Sequence, residues 1–544
     1  MKNPFHIIML TSCIIYFCLV PTICNSAIFY IDPSIGSMDN DGSPDSPWST
    51  LAEVIDHQLI ESYEYTSLPY DALTSSLSVK NNGAPVKAGD TLLLKSGLHG
   101  NIFIRNYSNL DYITVMGGEN EQPVLEQLHI QSGSKWKFEN LKVSSEPYGN
   151  FINSNLVFFE SHNFHGPAKD IEIYNCEVVS ADAPWEVADD WLTKVSNGIY
   201  AKGDSINVIN NEVRNVDMGI SAVGDHINVV NNSIVNFSGD GLRILGSYGL
   251  FQGNLIKNCY NVDDNHDDGI QSFTTNGYVV DHNIVRGNTI INQENPDQPL
   301  SGPLQGIGCF DGMYNNWIIE NNLIIVNHWH GITLLGAKDC MIINNTILDP
   351  SPELAPGGSW IMIADHKDER PSSGCIVKNN VANKFTVDGE LGSNVVLNSI
   401  TEYSDHFVDV DHIDFHLLAS SSLIDSGEDA VAPMFDLNNI PRPQGEHVDI
   451  GCYEFTTTSA LKEIIELGDE INIYPNPTNG LIHLDLSDFN NYSVKIIDFK
   501  GRQILQQKLT SNQIDISQFP SGSYFIKAYN AVTKQDVIYK VVKQ

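Results

Sequence analysis

The sequence is poor in basic residues: 30 Lys and Arg stand against 67 Asp and Glu, a formal net charge of −37. Binding to nucleic acid or to an anionic membrane surface depends on clustered basic groups, so this composition argues against both kinds of partner. Long hydrophobic runs are missing after residue 26, which predicts no transmembrane segment in the mature chain. No CxxC motif occurs, and the six cysteines after residue 26 are widely spaced, which fits neither a zinc finger nor a disulfide framework.

The first 26 residues have the pattern of a secretory signal peptide. Lys2 precedes an apolar run from residue 7 to residue 20, and Pro21 ends that run. Cys24 and Ser26 then place small residues before Ala27, as signal cleavage requires. We therefore predict export and a mature protein that begins at Ala27.

Short β segments repeat through the middle of the chain. Gly198, Gly219 and Gly241 are 21 and 22 residues apart, and apolar residues alternate with polar ones after each of them. This period is too short for helical-hairpin repeats, and the missing L-x-x-L-x-L frame argues against a leucine-rich repeat. Alternation with a period of two is typical of strands, so we predict a parallel β-helix whose coils bond to one another and share one core.

Two kinds of column should run through this solenoid. Residues one and three places after each glycine face the same side of a strand, so we expect them to form a buried ladder. An asparagine recurs after each strand, and its side-chain amide should bond its equivalent on the next coil. The inward columns are Ile199, Ile220, Leu242, Ile270, Ile307 and Ile332, and Ala201, Ala222, Ile244, Ser272, Cys309 and Leu334; the asparagines are Asn211, Asn232, Asn254, Asn288, Asn322, Asn345 and Asn380.

Both flanks of the repeat resemble a known group of proteins. Residues 27–50 contain IDPSIGSMDNDGSPDSPW, and residues 416–455 contain HLLASSSLIDSG and RPQGEHVDIGCYEF. These segments resemble the opening and closing caps of secreted, pectate-lyase-like proteins. The resemblance implies an all-β domain over residues 27–455, a right-handed parallel β-helix solenoid. The group is rich in polysaccharide lyases and glycoside hydrolases, and the fold alone does not decide between them.

The C-terminal segment 471–544 has the features of a separate domain. It contains YPNP with a glycine three residues later, then PSGSYF, then a terminal KVVK. This order of motifs resembles the C-terminal sorting domain of the type IX secretion system of Bacteroidota, which implies that machinery as a partner and a secreted or cell-surface location. Short alternating strands between regular turns predict a small β-sandwich, joined to the solenoid by a linker at 456–470.

Insertions should shape a groove on one face of the solenoid. Two adjacent coils carry extra residues, at 258–268 and 291–305, on the same edge of one face. The dense charge cluster 365–370 follows a strand on the opposite edge. Loops stacked along both edges of a flat sheet form a cleft that suits an extended polymer.

Charged and aromatic residues gather on the predicted floor and walls of this groove. Many ionisable groups on neighbouring rungs cannot all keep ordinary pKa values, which is typical of functional sites. We assign catalytic roles to Arg243, His266, Asp267, Asp268, His330 and Lys367. We assign substrate binding to Asp240, Gln271, Asp311, His328, Trp329, His366 and Arg370, and calcium binding to Asp263 and Asp264.

These groups suit a secreted, monomeric enzyme that degrades a polysaccharide. A lyase acting on a uronic-acid polymer neutralises the sugar carboxylate with Ca²⁺ or arginine and removes the α-proton with a base such as histidine or lysine. A hydrolase would use two carboxylates, Asp240 with Asp267 or Asp268. Basic groups beside the carboxylates favour the lyase. The remaining alternative, a glycan-binding or adhesive solenoid, would need repeated aromatics on a regular face.

Overall fold

The computed structural model describes residues 26–274, 278–456 and most of 473–543. The predicted signal peptide before Ser26 and the predicted linker from residue 457 onward lie outside the described residues. In the described part of the chain, no helix is both long and apolar enough to cross a membrane.

Parallel strands stack coil upon coil and form the predicted parallel β-helix. We call the strands that carry the candidate site the front strands. They are Asn101–Gly117, Gln127–Glu139, Asn155–Glu160, Asn197–Lys202, Ile220–Val223, Leu242–Leu245, Asp267–Phe273, Leu304–Asp311, His330–Leu335, Trp360–Ala364 and Lys384–Val387.

Two further sets of strands complete each coil. The side strands belong to the same hydrogen-bonded sheet as the front strands, whereas the back strands form a separate 12-stranded sheet. The side strands are Lys169–Tyr174, Asp204–Ile209, Asn228–Val230, Leu250–Gln252, Ile284–Arg286, Ile318–Glu320, Met341–Ile343, Ile376–Lys378 and Glu390–Gly392. The back strands are Gly97–Leu98, Pro123–Leu125, Lys142–Val143, Glu177–Val179, Glu212–Val216, Ser233–Phe237, Leu255–Cys259, Thr289–Ile291, Leu323–Ile325, Thr346–Leu348, Val381–Ala382 and Val395–Val396. Val280–Asp281, Tyr314–Asn315 and Ala337–Lys338 form a small third sheet.

The core follows the predicted inward columns. Ile199 pairs with Ile220, and the register continues coil by coil to Ile332, with every member of both columns buried. The predicted asparagine ladder is confirmed as well. From Asn211 to Asn380, each Nδ2 donates to the Oδ1 of the next asparagine at 2.8–3.1 Å, and Asn394 accepts the last of these bonds. The ladder satisfies polar groups that the stacked coils would otherwise bury without partners.

Short elements cover the two ends of the solenoid. At the first end, helix Leu51–Asp56 is capped by the Thr50 hydroxyl and buries Leu51 and Val54 in the main core. Strands Ile28–Ile31 and Thr91–Leu94 pair beside it, and Ser62–Tyr65 forms an antiparallel hairpin with Leu77–Lys80. At the other end, a second buried cluster forms beneath helix Ile400–His406 and strands Phe407–Asp409 and Asp414–Leu417. The short 3-10 helices are Glu146–Tyr148, Val410–His412 and Phe489–Asn491.

Three loops pack together along one edge of the front strands. The two predicted insertions touch, since Asn261 N donates to Leu300 O at 2.7 Å and Gln298 Nε2 donates to Cys259 O at 2.6 Å. Helix Ala188–Lys194 joins them, with the rings of Trp191 and Tyr260 at 4.8 Å between centroids. The sequence predicted two stacked loops at this edge, and the structure adds the helical one.

The C-terminal part has two antiparallel sheets. One comprises Ile473–Tyr474, Leu481–Leu484 and Gln513–Asp515, and the other comprises Tyr492–Asp498, Gln503–Lys508, Gly522–Asn530 and Gln535–Lys543. Buried side chains from both sheets form one hydrophobic cluster, which includes Ile482 and Ile496. Two sheets around a shared core agree with the predicted small β-sandwich.

Candidate functional site

The front strands hold their outward side chains in register. Tyr200, Ser221, Arg243, Gln271 and Gly308 are paired coil by coil, and Thr333 follows. Neighbouring strands lie about 4.8 Å apart, so each step along this column is about that long. We call it the front column, and it forms the floor of the groove.

A buried ion pair lies at the start of the charged part of the floor. Arg243 Nε donates to Asp240 Oδ2 at 2.6 Å, and the backbone N–H of Asp268 donates to Asp240 Oδ1 at 3.0 Å. The Asp240 side chain is only 3% exposed, and its burial raises its pKa while Arg243 opposes that shift. Among the described residues, neither Nη of Arg243 has a hydrogen-bond partner. The guanidinium therefore keeps donors for a ligand.

A second acid, on the next coil, raises the pKa of an exposed histidine. Asp268 is fully buried and accepts a hydrogen bond from Gln271 Nε2 at 2.9 Å. His266 Nδ1 lies 3.8 Å from Asp268 Oδ2, the distance of an ion pair, and the His266 side chain is 70% exposed. Burial raises the pKa of Asp268 to about 6, and the interaction with Asp268 raises the pKa of His266 to about 9. His266 is thus a cation at the surface of the groove at neutral pH.

The absence of a side chain at position 308 makes room for Asp268. A Cβ built on Gly308 would lie 2.1 Å from Asp268 Oδ1, so the carboxylate occupies the space over this glycine. That oxygen is buried without a hydrogen-bond partner in the described part of the chain. This contact between coils could not be predicted from the spacing of the sequence.

Two neutral histidines lie further along the groove. His328 Nδ1 accepts a hydrogen bond from the backbone N–H of His330 at 3.2 Å, and the two rings stack at 5.2 Å. Burial lowers the pKa of each to about 4, and the charge of His266 contributes to both shifts. Charge interactions in a protein fall off over short distances, so His266 lies within reach of both Asp268 and this histidine pair.

Two residues that the sequence did not single out hold His330 in place. Its Nδ1 is 2.9 Å from Thr333 Oγ1, which also accepts a hydrogen bond from Trp360 Nε1 at 3.0 Å. The Trp360 ring stacks on Trp329 at 5.7 Å with an interplanar angle of 5°. Trp329 is 41% exposed and offers a flat apolar surface beside the histidines. Nothing in the sequence pointed to a functional role for Thr333 and Trp360 beyond their places in the strand register.

The carboxylate of Asp267 is hydrogen-bonded to the inserted loop, which corrects its predicted place on the floor. Neighbouring residues of a strand point to opposite sides, so Asp267 points away from Asp268. Its Oδ2 accepts a hydrogen bond from Asn261 Nδ2 at 2.9 Å and lies 3.4 Å from Cys259 Sγ. Burial raises its pKa to about 7. Asp267 supports the inserted loop instead of facing the groove.

The predicted charge cluster on the opposite edge forms a group of its own. Lys367 pairs with Asp311, and His366 Nε2 lies 3.7 Å from the same carboxylate. Arg370 Nε donates to both oxygens of Asp368 at 2.9 Å, and this contact lowers the pKa of Asp368. Asp311 is three residues beyond Gly308 on one strand, about 10 Å away. Lys367, His366 and Arg370 therefore form a wall and not part of the central cluster.

The candidate calcium ligands do not converge with others. Asp263 Oδ1 accepts a hydrogen bond from Asn265 N at 2.8 Å, and its Oδ2 accepts one from Asn265 Nδ2 at 3.2 Å, which closes a local turn. Within residues 26–274, 278–456 and the described C-terminal strands, no three His, Cys, Asp or Glu side chains are arranged to hold a metal ion. Calcium binding by Asp263 and Asp264 stays a prediction, and no step below depends on it.

Replacing Asp268 with asparagine should lower the pKa of His266 from about 9 towards the ordinary imidazole value of about 6.5, because the variant lacks the negative charge that holds the proton. A histidine-selective NMR titration measures this directly. Asp267→Asn is the matched control, since Asp267 faces away and should leave the titration unchanged. An unchanged His266 pKa in Asp268→Asn would show that the pair does not form.

Two family descriptions match the chain. "Right handed beta helix region" matches residues 197–400, and "Secretion system C-terminal sorting domain" matches residues 472–544. The solenoid is therefore a right-handed β-helix, followed by a sorting domain of the type IX secretion system. This domain implies the secretion machinery as a partner and a protein that is secreted or held at the cell surface.

Comparison with individual proteins adds little to this. No curated protein matches the chain significantly. Among solved structures, the A-module of the mannuronan C-5 epimerase AlgE6 from Azotobacter vinelandii is similar at 13% identity and a TM-score of 0.24, over 57% of this chain and 89% of that chain. The GH136 lacto-N-biosidase from Eubacterium ramulus is similar at 11% identity and a TM-score of 0.26, over 68% of each chain. Both names denote carbohydrate-active enzymes, but TM-scores this low carry no argument about this chain.

Proposed function

We propose that the protein is a secreted polysaccharide lyase that cleaves a uronic-acid polymer by β-elimination. The observation that carries this proposal is the pairing, in one groove, of an exposed cation with a neutral imidazole. The interaction with Asp268 raises the pKa of His266 to about 9, and burial lowers the pKa of His330 to about 4. β-Elimination needs both groups: a positive charge beside the carboxylate and a base beside the α-carbon.

The cations would neutralise the carboxylates of the substrate. His266 is an exposed cation whose charge acts on both histidines, so it would bind the carboxylate of the reacting sugar. Arg243 and Thr333 are three coil steps apart, about 14 Å, which is too far for both to serve one sugar. Arg243 would therefore bind the carboxylate of another sugar of the same chain with its free Nη groups.

His330 is better suited than His328 to act as the base. The Nδ1 lone pair of His328 is used by the backbone N–H of His330, so the neutral ring carries its proton on Nε2. In His330, a proton on Nδ1 would be donated to Thr333 Oγ1, which leaves the Nε2 lone pair free. Trp360 keeps Thr333 in the position that this tautomer requires.

The proposed reaction is balanced by these groups and water. His330 Nε2 takes the proton from the carbon that bears the carboxylate, and His266 stabilises the charge that spreads onto the carboxylate oxygens. The electron pair of the broken C–H bond forms a C=C bond as the glycosidic C–O bond breaks. The leaving oxygen takes a proton from water, and the imidazolium of His330 returns its proton to solvent.

Hydrolysis is the second candidate, and one observation favours it. Asp268, with a pKa near 6, lies one coil from Asp240, which is paired with Arg243, so an acid and a carboxylate are adjacent. Against it, the two side chains are 0% and 3% exposed, whereas hydrolytic carboxyl groups must touch the sugar. We therefore assign these acids to positioning the exposed cations.

Incubating the full chain with pectate, alginate, glycosaminoglycans and sulfated algal polysaccharides, with and without EDTA, tests the proposal. We expect reducing ends and the ultraviolet absorbance of an unsaturated sugar to rise together on a uronic-acid polymer. Reducing ends without that absorbance would mean hydrolysis. Binding with neither signal would mean a glycan-binding protein. Loss of activity in EDTA would support the predicted calcium.

The pH profile of kcat/KM should be bell-shaped, with an acid limb near 4 and an alkaline limb near 9. Below the first value His330 is protonated and cannot accept a proton. Above the second value His266 loses the charge that neutralises the carboxylate. Initial rates at low substrate concentration measure both limbs. In the Asp268→Asn variant the alkaline limb should move to lower pH. An alkaline limb that does not move would show that His266 has no role in the reaction.

A further inference from the structure

The front column continues away from the acids as a row of aromatic rings. Phe103 pairs with His129, His129 with Phe158, and Phe158 with Tyr200, in the same register that leads on to Ser221 and Arg243. The centroid distances between consecutive rings are 4.9, 4.7 and 5.3 Å. We call these four residues the aromatic column.

The rings at the two ends are turned relative to the middle pair. His129 and Phe158 stack at 17°, but Phe103 is tilted by 49° from His129, and Tyr200 stands at 86° to Phe158. Phe103 is 40% exposed. Such rings on a sheet surface are apolar and flat, which suits the C–H-rich faces of pyranose rings.

Polar groups flank the aromatic column along its length. The neighbouring outward column contains Arg105, Gln131, Glu160 and Lys202 in register. Glu160 Oε2 accepts hydrogen bonds from Gln131 Nε2 at 2.8 Å and His129 Nε2 at 3.0 Å. An apolar strip edged by hydrogen-bonding and charged groups matches the two kinds of surface that a sugar chain presents.

We propose that the aromatic column binds the part of the polysaccharide chain that is not reacting. The inference rests on the proposed function, since it assigns the polymer cleaved at His330 as the occupant. The support for this proposal is that the rings and Arg243 belong to the same strand register as Thr333, which holds His330. Phe103 is five coil steps from Arg243, about 24 Å, so the bound segment must be several sugars long.

The structure also assigns a binding position for one sugar within this segment. Ser221 is a small buried residue between two large outward ones, with Tyr200 one coil before it and Arg243 one coil after it. The apolar face of a uronate bound over Ser221 would pack on the Tyr200 ring. Its carboxylate would accept hydrogen bonds from the Nη groups of Arg243. This position would select acidic sugars in the part of the polymer that is not reacting.

Isothermal titration calorimetry on the full chain tests the inference, in a His330→Gln background so that binding is measured without turnover. The ligands are di- and octasaccharides of pectate and alginate. The test variants are Tyr200→Ala and Phe158→Ala combined with Tyr200→Ala. Tyr248→Ala is the matched control, because this ring also stacks between two others, His226 at 5.4 Å and His282 at 5.5 Å, but lies outside the front column.

We expect the double variant to raise the Kd for the better-bound octasaccharide by about tenfold or more, and Tyr200→Ala alone to raise it several-fold. The control should not change the octasaccharide affinity. Unchanged octasaccharide affinity in both test variants, with thermal melting confirming that they fold, would overturn the inference, as would no octasaccharide binding by the parent. The test variants could lose octasaccharide affinity while the wild-type chain cleaves none of the polymers. That result would refute the lyase proposal but support the aromatic column as a polysaccharide-binding site.

Discussion

Replacing His330 with glutamine is expected to lower kcat on a uronic-acid polymer by about 10²- to 10⁴-fold, which is the usual contribution of a positioned general base. KM should change little, because glutamine keeps the size and polarity of the side chain. The fold should survive, since His330 is only half-buried and its ring is held by one hydrogen bond to Thr333. Steady-state kinetics on the purified full chain measures the effect.

His328→Gln is the matched control for this prediction. His328 stacks on His330 and has the same lowered pKa, but its Nδ1 is used by the backbone. We expect a smaller loss from this variant. Thr333→Val should fall between the two, because it removes the oxygen that fixes the tautomer of His330. Equal activity of His330→Gln and the wild-type enzyme would exclude His330 as the base.

Replacing Arg243 with glutamine is expected to lower the free energy of unfolding by about 3 kcal/mol, the lower end for breaking a buried pair. The cause is Asp240, which is almost fully buried and would lose its salt bridge to Arg243. The variant should also bind a uronic-acid polymer more weakly, since the free Nη groups are gone. Urea unfolding monitored by circular dichroism measures the stability, and calorimetry measures the binding.

The double variant Asp240→Asn with Arg243→Gln separates these two effects. It removes the unpaired charge, so most of the lost stability should return, whereas the weak binding should persist. Stability that does not return would mean that Arg243 contributes through packing and not through charge. Binding that recovers together with stability would remove Arg243 from the substrate site.

The fold could be predicted because its determinants repeat along the chain. Six coils have a glycine with inward residues one and three places later, and an asparagine follows each glycine after 13 to 19 residues. These features recur often enough to be recognised without a structure. The registers from Ile199 to Ile332 and the asparagine ladder follow those spacings. Repetition also placed Asp240, Arg243, Asp268 and Gln271 on one floor, where the structure brings them together.

The rest of the site depends on features that do not repeat. Asp267 and Asp268 are adjacent in a charged motif and begin the same strand, and only their side-chain contacts, with Asn261 and Gln271 respectively, show which of them faces the groove. Trp360 belongs to the coil after a long turn, so its hydrogen bond to Thr333 could not be inferred from spacing. The aromatic column precedes Gly198, where the repeat first becomes visible, although the glycan-binding alternative had called for such a row.

The most direct test of the account compares a uronic-acid polymer with its carboxyl-reduced counterpart, in which each carboxylate has become a primary alcohol. Wild-type protein and His266→Gln are incubated with both, and the ultraviolet absorbance of unsaturated products is followed. We predict that the wild-type protein forms these products from the acidic polymer alone, and that His266→Gln forms them about 10²- to 10³-fold more slowly. Cleavage of both polymers at similar rates, without unsaturated products, would contradict the account and point to hydrolysis by the aspartate pair.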